Sequence, residues 1–108
     1  MAKYLVQVSI NKDGIREVLS KAKGTGLRAA VTKFAESAGG RLEAYYFAFG
    51  PHDVVAIMDL PDNVSAAALS VAASGGGAVR VQMTPLLTPE EMDQAIAKSA
   101  TLAVPGQA

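Results

Sequence analysis

The 108-residue chain lacks cysteine and tryptophan, contains one histidine and has a formal net charge of zero. The absence of cysteine excludes disulfide bonds, cysteine-ligated metal centres and thiol nucleophiles. Because ten basic side chains are balanced by ten acidic ones, the chain has no basic surplus with which to bind nucleic acids or anionic membranes. No apolar run reaches the roughly 18 residues of a transmembrane helix, and no signal peptide is apparent, so we expect a cytoplasmic protein.

Charged residues are also scarce: they make up 19% of the sequence, whereas 50% of the residues are hydrophobic. Soluble domains typically contain about a quarter charged residues. A chain of this length can form one hydrophobic core but not two. We therefore expect a single domain over residues 1–100, followed by a flexible tail over residues 101–108.

The spacing of the apolar residues predicts the order of secondary structure. The predicted strands are Lys3–Ile10, Arg41–Phe49, Val54–Leu60 and Val79–Leu86. A helical arm broken at Gly24-Thr25-Gly26 follows the first strand, an alanine-rich helix follows the third, and a capped helix begins at Thr88. This order predicts an α+β ferredoxin-like fold, which is a βαββαβ four-stranded antiparallel sheet with helices on one face, here with an appended C-terminal helix.

The second face of this sheet is predicted to be apolar, because the second and third strands along the chain carry apolar residues on both sides. Strands have this pattern where both faces of a sheet are covered. We expect a second copy of the chain to cover the face, giving a homodimer or a higher homo-oligomer. The alternative is that the C-terminal helix folds across it. The predicted interface residues are Leu5, Phe47, Phe49, Val55 and Ile57.

Polar side chains near this face indicate a further use for it. The candidates for ligand binding are Gln7, Tyr45, Arg80 and Gln82. A few polar groups at the edge of an apolar cavity are typical of pockets for small molecules, so a small apolar ligand is one possible partner. The alternative is that these side chains form hydrogen bonds across the subunit interface.

His52 is the only histidine, so one chain cannot provide a multi-histidine metal site, and we expect no metal and no cofactor. His52 and Asp53 lie in the turn between the second and third strands along the chain. There the carboxylate would orient the imidazole as a general base or a haem ligand. The alternative is an exposed turn histidine, with Asp53 accepting hydrogen bonds from backbone amides.

The same turn carries a resemblance to a known family. The stretch Phe49–Ile57, followed by Pro61-Asp62, resembles the GYD domain family, small and mostly bacterial proteins named for a Gly-x-Tyr-Asp signature. Gly50 and Asp53 match that signature, and His52 stands in place of its tyrosine. Further matching segments are Ala38–Tyr46, Ser65–Ala73, Val79-Arg80 and Thr88–Glu91. The resemblance implies a ferredoxin-like fold of the kind that dimerises into an α/β barrel, without a settled activity.

These features favour a homo-oligomeric module that binds a small ligand or has a structural role. The alternative is a cofactor-independent enzyme, of the monooxygenase or isomerase kind found on dimeric α/β barrels. Such an enzyme would use His52, Asp53 or Tyr45 as an acid or base in the barrel cavity. The enzymatic hypothesis rests on analogy between folds.

Overall fold

The fold is that of a computed structural model, which describes residues 1–106 apart from the side chain of Asp13. The elements are β1 (Ala2–Ile10), α1 (Lys12–Ser37), β2 (Arg41–Phe47), β3 (Val54–Leu60), α2 (Asn63–Ser74), β4 (Val79–Leu86) and α3 (Pro89–Ser99). This order and the antiparallel sheet confirm the predicted α+β ferredoxin-like fold. Residues 107 and 108 of the predicted tail lie outside the described residues.

The sheet has β1 and β3 at its centre and β2 and β4 at its edges. The strand order is β2-β3-β1-β4, and each pair of neighbours is antiparallel. Both edge strands are irregular: β2 contains a bulge at Glu43, between Leu42 and Ala44, and β4 contains Pro85. Because side chains alternate between the two faces of a strand, the register decides which residues face the helices.

The hydrophobic core lies between the sheet and the two helices α1 and α2. α1 packs on β2, and α2 packs mainly on β4. The buried residues of the core are Tyr4, Val6, Ala35, Ala56, Met58, Leu60, Ala66 and Leu69. The hydroxyl of Tyr4 donates a hydrogen bond to Oδ1 of Asn63, which fixes the start of α2 to the central strand β1.

α1 is broken at Lys23, where the backbone leaves helical geometry with φ 61° and ψ 170°. The arm is therefore broken as expected, but one residue before the predicted Gly24-Thr25-Gly26. Gly24 itself packs closely against β2, because a Cβ at this position would lie 3.0 Å from Cε2 of Phe47. Glycine at this position permits the close approach of helix and strand, and the positive φ falls on the lysine.

α1 ends at a pair of glycines, the first of which, Gly39, has φ 80°. The N–H of Gly39 donates to the carbonyl oxygen of Glu36, and the N–H of Gly40 donates to that of Ala35. These are the two hydrogen bonds of a Schellman motif. A Cβ at Gly40 would clash with the carbonyl oxygen of Asp59. The glycine pair therefore ends the helix and lets β2 begin close against β3.

α3 projects from the sheet and does not cover it. Thr88 and Glu91 form a capping box at its start, and Pro89 is its first residue. Every described residue after Leu86 is exposed, and the molecule measures 60 × 27 × 24 Å. The chain therefore does not adopt the alternative in which the C-terminal helix covers the second face of the sheet.

Candidate functional site

The sheet face turned away from α1 and α2, called the open face below, has an apolar centre. Leu5 lies opposite Ile57, which lies opposite Ala44, so three strands contribute to one apolar row. In the next row Val55 lies opposite Tyr46, whose side chain is 69% exposed. The result is an apolar strip that crosses β1, β3 and β2.

One end of the open face carries four charged side chains that contact one another. The Nζ atom of Lys3 lies 3.0 Å from Oδ1 of Asp59 and 2.9 Å from Oε2 of Glu43. The Nη2 atom of Arg41 lies 2.9 Å from Oδ2 of Asp59, whose side chain is only 10% exposed. One largely buried carboxylate is thus held between two cations.

The hydrogen bonds in this network shift two pKa values in opposite directions. The hydrogen bond from Lys3, and then that from Arg41, lowers the pKa of the Asp59 carboxyl. Hydrogen bonds to Glu43 and Asp59 raise the pKa of Lys3. Both shifts favour the charged forms, because each group is bonded to a partner of opposite charge.

Three of the four predicted ligand-binding residues lie together on the open face. Gln7 lies opposite Gln82, and Arg80 lies opposite Ser9, on the neighbouring strands β1 and β4. These side chains form a polar border beside the apolar strip. Tyr45, the fourth predicted residue, lies on the other face of the sheet.

Tyr45 and Phe47 lie on the helix side of β2. Their partners on β3 are Ala56 and Val54, both buried. The two rings meet edge to face with centroids 5.4 Å apart, and burial raises the pKa of the Tyr45 hydroxyl. Strict alternation from Leu42 would turn Phe47 to the open face, but the extra residue in the bulge reverses the faces.

The predicted interface residues are therefore divided. Leu5, Val55 and Ile57 lie on the open face and are half-buried in the single chain. Phe47 lies on the helix side, and Phe49 lies beyond the end of β2, where it is fully exposed. The apolar strip thus consists of the first three residues together with Ala44 and Tyr46.

The loop between β2 and β3 is held by Asp53. Its Oδ2 accepts a hydrogen bond of 2.7 Å from the N–H of Ile10, and its own N–H donates to the carbonyl oxygen of Val8 at 2.8 Å. His52 is half-buried, and its Nδ1 lies 3.4 Å from Oγ of Ser9. The carboxylate is thus bonded to a backbone amide of β1, and the imidazole contacts a serine.

Two further properties limit what the described residues can do. Among the side chains that the structure describes, no group of three or more histidine or carboxylate side chains is arranged to hold a metal ion. No helix within residues 1–106 is long and apolar enough to cross a membrane. The open face is therefore a surface with an apolar centre and polar and charged borders.

Most of the chain also matches a known protein family. The profile of the GYD domain matches residues 4–96 of the chain. The chain belongs to the GYD domain family. The matched range runs from β1 into α3 and includes the turn from Gly50 to Asp53. Searches of the curated proteins and of the solved structures give no significant match, so the site of this GYD domain is interpreted from its own residues.

Asp59 was not among the predicted site residues of this GYD domain, although the sequence contains a hint of it. It is the only charged residue of β3, and a carboxylate inside an apolar strand requires partners. Those partners, Lys3 and Arg41, come from two other strands, so only the strand register brings the three side chains together.

Proposed function

We propose that this GYD domain is a self-associating module whose open face is covered by a second copy of the chain. The observation that carries the proposal is the apolar row of Leu5, Ile57 and Ala44 on a face that α3 leaves uncovered. Large exposed apolar patches mark association surfaces in soluble proteins. In a symmetric dimer the same patch serves both partners, so one such face is sufficient.

The borders of the open face support this proposal. Protein interfaces typically have an apolar core surrounded by a polar rim. Here Gln7, Gln82 and Arg80 border the apolar strip on one side, and the network around Asp59 lies at one end. In the assembly these polar side chains would hydrogen-bond across the interface or to a small ligand enclosed by it.

The placement of the candidate catalytic residues favours a binding or structural role over catalysis. Tyr45 lies on the helix side of the sheet, whereas His52 contacts Ser9 of the open face. The Asp53 carboxylate accepts a hydrogen bond from a backbone amide. Since these groups do not surround one cavity in the single chain, we propose no reaction for this GYD domain.

Sedimentation velocity of the full chain tests the proposal. We expect a dimer or higher oligomer that persists on dilution. Ile57→Asp should convert it to a monomer, because a carboxylate buried without a partner opposes association. Val71→Asp is the matched control, since Val71 is exposed on α2, and it should leave the mass unchanged. A wild-type protein that sediments as a monomer at every concentration would contradict the proposal.

A further inference from the structure

The core contains a cavity between the sheet and the helices, on the side of the sheet opposite the open face. Its volume is about 160 Å³ and its lining is almost wholly apolar. The walls include Val6 of β1, Ala56 of β3, Val81 of β4, Val31 of α1 and Leu69 of α2. Protein interiors are normally packed as densely as organic crystals, so a space of this size requires an explanation.

The composition and position of α2 provide that explanation. Five of the 12 residues of α2 are alanine, and one of these, Ala73, lines the cavity. A methyl group at this position does not reach far enough to fill the space below it. Because α1 packs on β2 and α2 packs mainly on β4, the gap lies between the helices, above the central strands.

The cavity has a buried floor and half-buried walls. The lining residues Val6, Ala56 and Met58 are buried. In contrast, Ile10 and Val79, which pair at the end of β1 and the start of β4, are half-buried. Ala73, near the end of α2, is also half-buried, as are Val31 of α1 and Val81 of β4. These half-buried walls give a small molecule a short path inward from the surface.

We propose that this cavity binds a neutral, apolar molecule of about the size of benzene. Cavities of roughly 150 Å³ lined by aliphatic and aromatic side chains stay dry and bind benzene or xenon. The one polar side chain in the lining is Tyr45, so an ionised ligand would lose its hydration without gaining a charged partner.

This inference goes beyond the proposed function, which concerns the open face. It does not depend on self-association, because the cavity and the open face lie on opposite sides of the sheet. The two proposals can therefore fail separately. A protein that binds benzene and sediments as a monomer would contradict the self-association alone.

Benzene added to the full chain tests the inference by thermal unfolding. A ligand of six heavy atoms is expected to bind with a dissociation constant on the order of 1 mM. At about five times that concentration, binding to the native state should raise Tm by roughly 4–8 °C. Benzoate has the same ring with a charge and should leave Tm unchanged. Wild-type protein whose Tm does not respond to benzene would overturn the inference.

Filling the cavity provides the matched comparison. Ala73→Leu should remove the benzene-dependent increase in Tm, whereas Ala72→Leu, an exposed neighbour on the same helix, should retain it. Ala56→Val narrows the cavity from the sheet side and serves as a second filling variant if circular dichroism shows Ala73→Leu to be unfolded. An increase that is equal in wild type and in a folded filling variant would place benzene elsewhere and overturn the inference.

Discussion

The Oδ2 atom of Asp53 accepts a hydrogen bond of 2.7 Å from the backbone N–H of Ile10. This bond ties the loop between β2 and β3 to the end of the central strand β1. The N–H of Asp53 adds a second link, to the carbonyl oxygen of Val8. The carboxylate in the turn therefore has a structural role in the single chain, without any ligand.

Asp53→Ala should lower the free energy of unfolding by about 1–3 kcal/mol, because it leaves the N–H of Ile10 without its partner. Asp53→Asn keeps an acceptor oxygen and should lower the free energy of unfolding by less. Urea denaturation measures both. His52→Ala is the control, and its effect should stay within about 0.5 kcal/mol. Equal losses for the two alanine variants would assign the stability of the loop to the turn as a whole.

Gly40→Ala should destabilise the protein by more than about 2 kcal/mol, because the added Cβ clashes with the backbone of Asp59. Gly50→Ala is the matched control. Nothing lies within 4 Å of a Cβ at Gly50, so its effect should be under about 1 kcal/mol. Chemical denaturation of both variants checks the difference. A small effect at Gly40 would mean that β2 can move away from β3.

Asp59→Asn should make the free energy of unfolding depend less on pH in the acid range. The folded-state pKa of Asp59 lies below its ordinary value of 3.8, so its contribution to stability is complete above that value and is lost as pH falls through the lowered pKa. The contribution of Lys3 to stability has the opposite dependence on pH. Its raised pKa keeps its contribution complete below 10.5, and the contribution is lost as pH rises through the folded-state value.

The acid dependence of the free energy of unfolding measures this effect. At pH 7, Asp59→Asn should cost about 1–2 kcal/mol, a moderate loss because Lys3 and Arg41 can regain hydration. As pH falls below 3.8 and through the lowered pKa of Asp59, the stability of the variant should approach that of the wild type. Asp93→Asn, an exposed position on α3, should follow the wild-type curve throughout. If the variant and the wild type differ in free energy of unfolding by the same amount in acid as at pH 7, the charge of Asp59 is not what stabilises the fold.

Lys23→Gly should raise the free energy of unfolding by about 1 kcal/mol. Lys23 has φ 61° and ψ 170°, a region of backbone conformation that is nearly restricted to glycine. Lys21→Gly, two residues earlier in the same helix, should instead cost about 1 kcal/mol, because glycine there loses helix propensity and the exposed ion pair of Lys21 with Glu17. Thermal unfolding should therefore move Tm in opposite directions for the two variants. A decrease for both would contradict the break at Lys23.

The order of the elements could be predicted because apolar and polar residues alternate clearly in β1, where Val6 and Val8 face the core and Gln7 does not. Which residues of β2 face the helices could not be predicted, since Tyr45 and Tyr46 are both large and aromatic. A bulge at Glu43 then reverses the alternation that Leu42 begins. A single inserted residue of this kind depends on the fit to the neighbouring strand, which the sequence pattern does not contain.

The candidate site was predictable in part for a similar reason. Leu5, Val55 and Ile57 are found on the open face because each is part of a regular strand. The contacts of Asp59 with Lys3 and Arg41 depend on the register of three strands. The core cavity depends on the distance between two helices and the sheet. Both are properties of packing, and the periodicity of the sequence carries no information about either.

The irregular edge strands affect how the protein behaves at high concentration. An edge strand exposes free N–H and C=O groups that can pair with another chain, which is the first step of amyloid growth. Pro85 removes one donor from β4, and the bulge at Glu43 interrupts the ladder of β2. Because both edges are poor templates for a further strand, concentrated solutions of this apolar protein should remain free of fibrils.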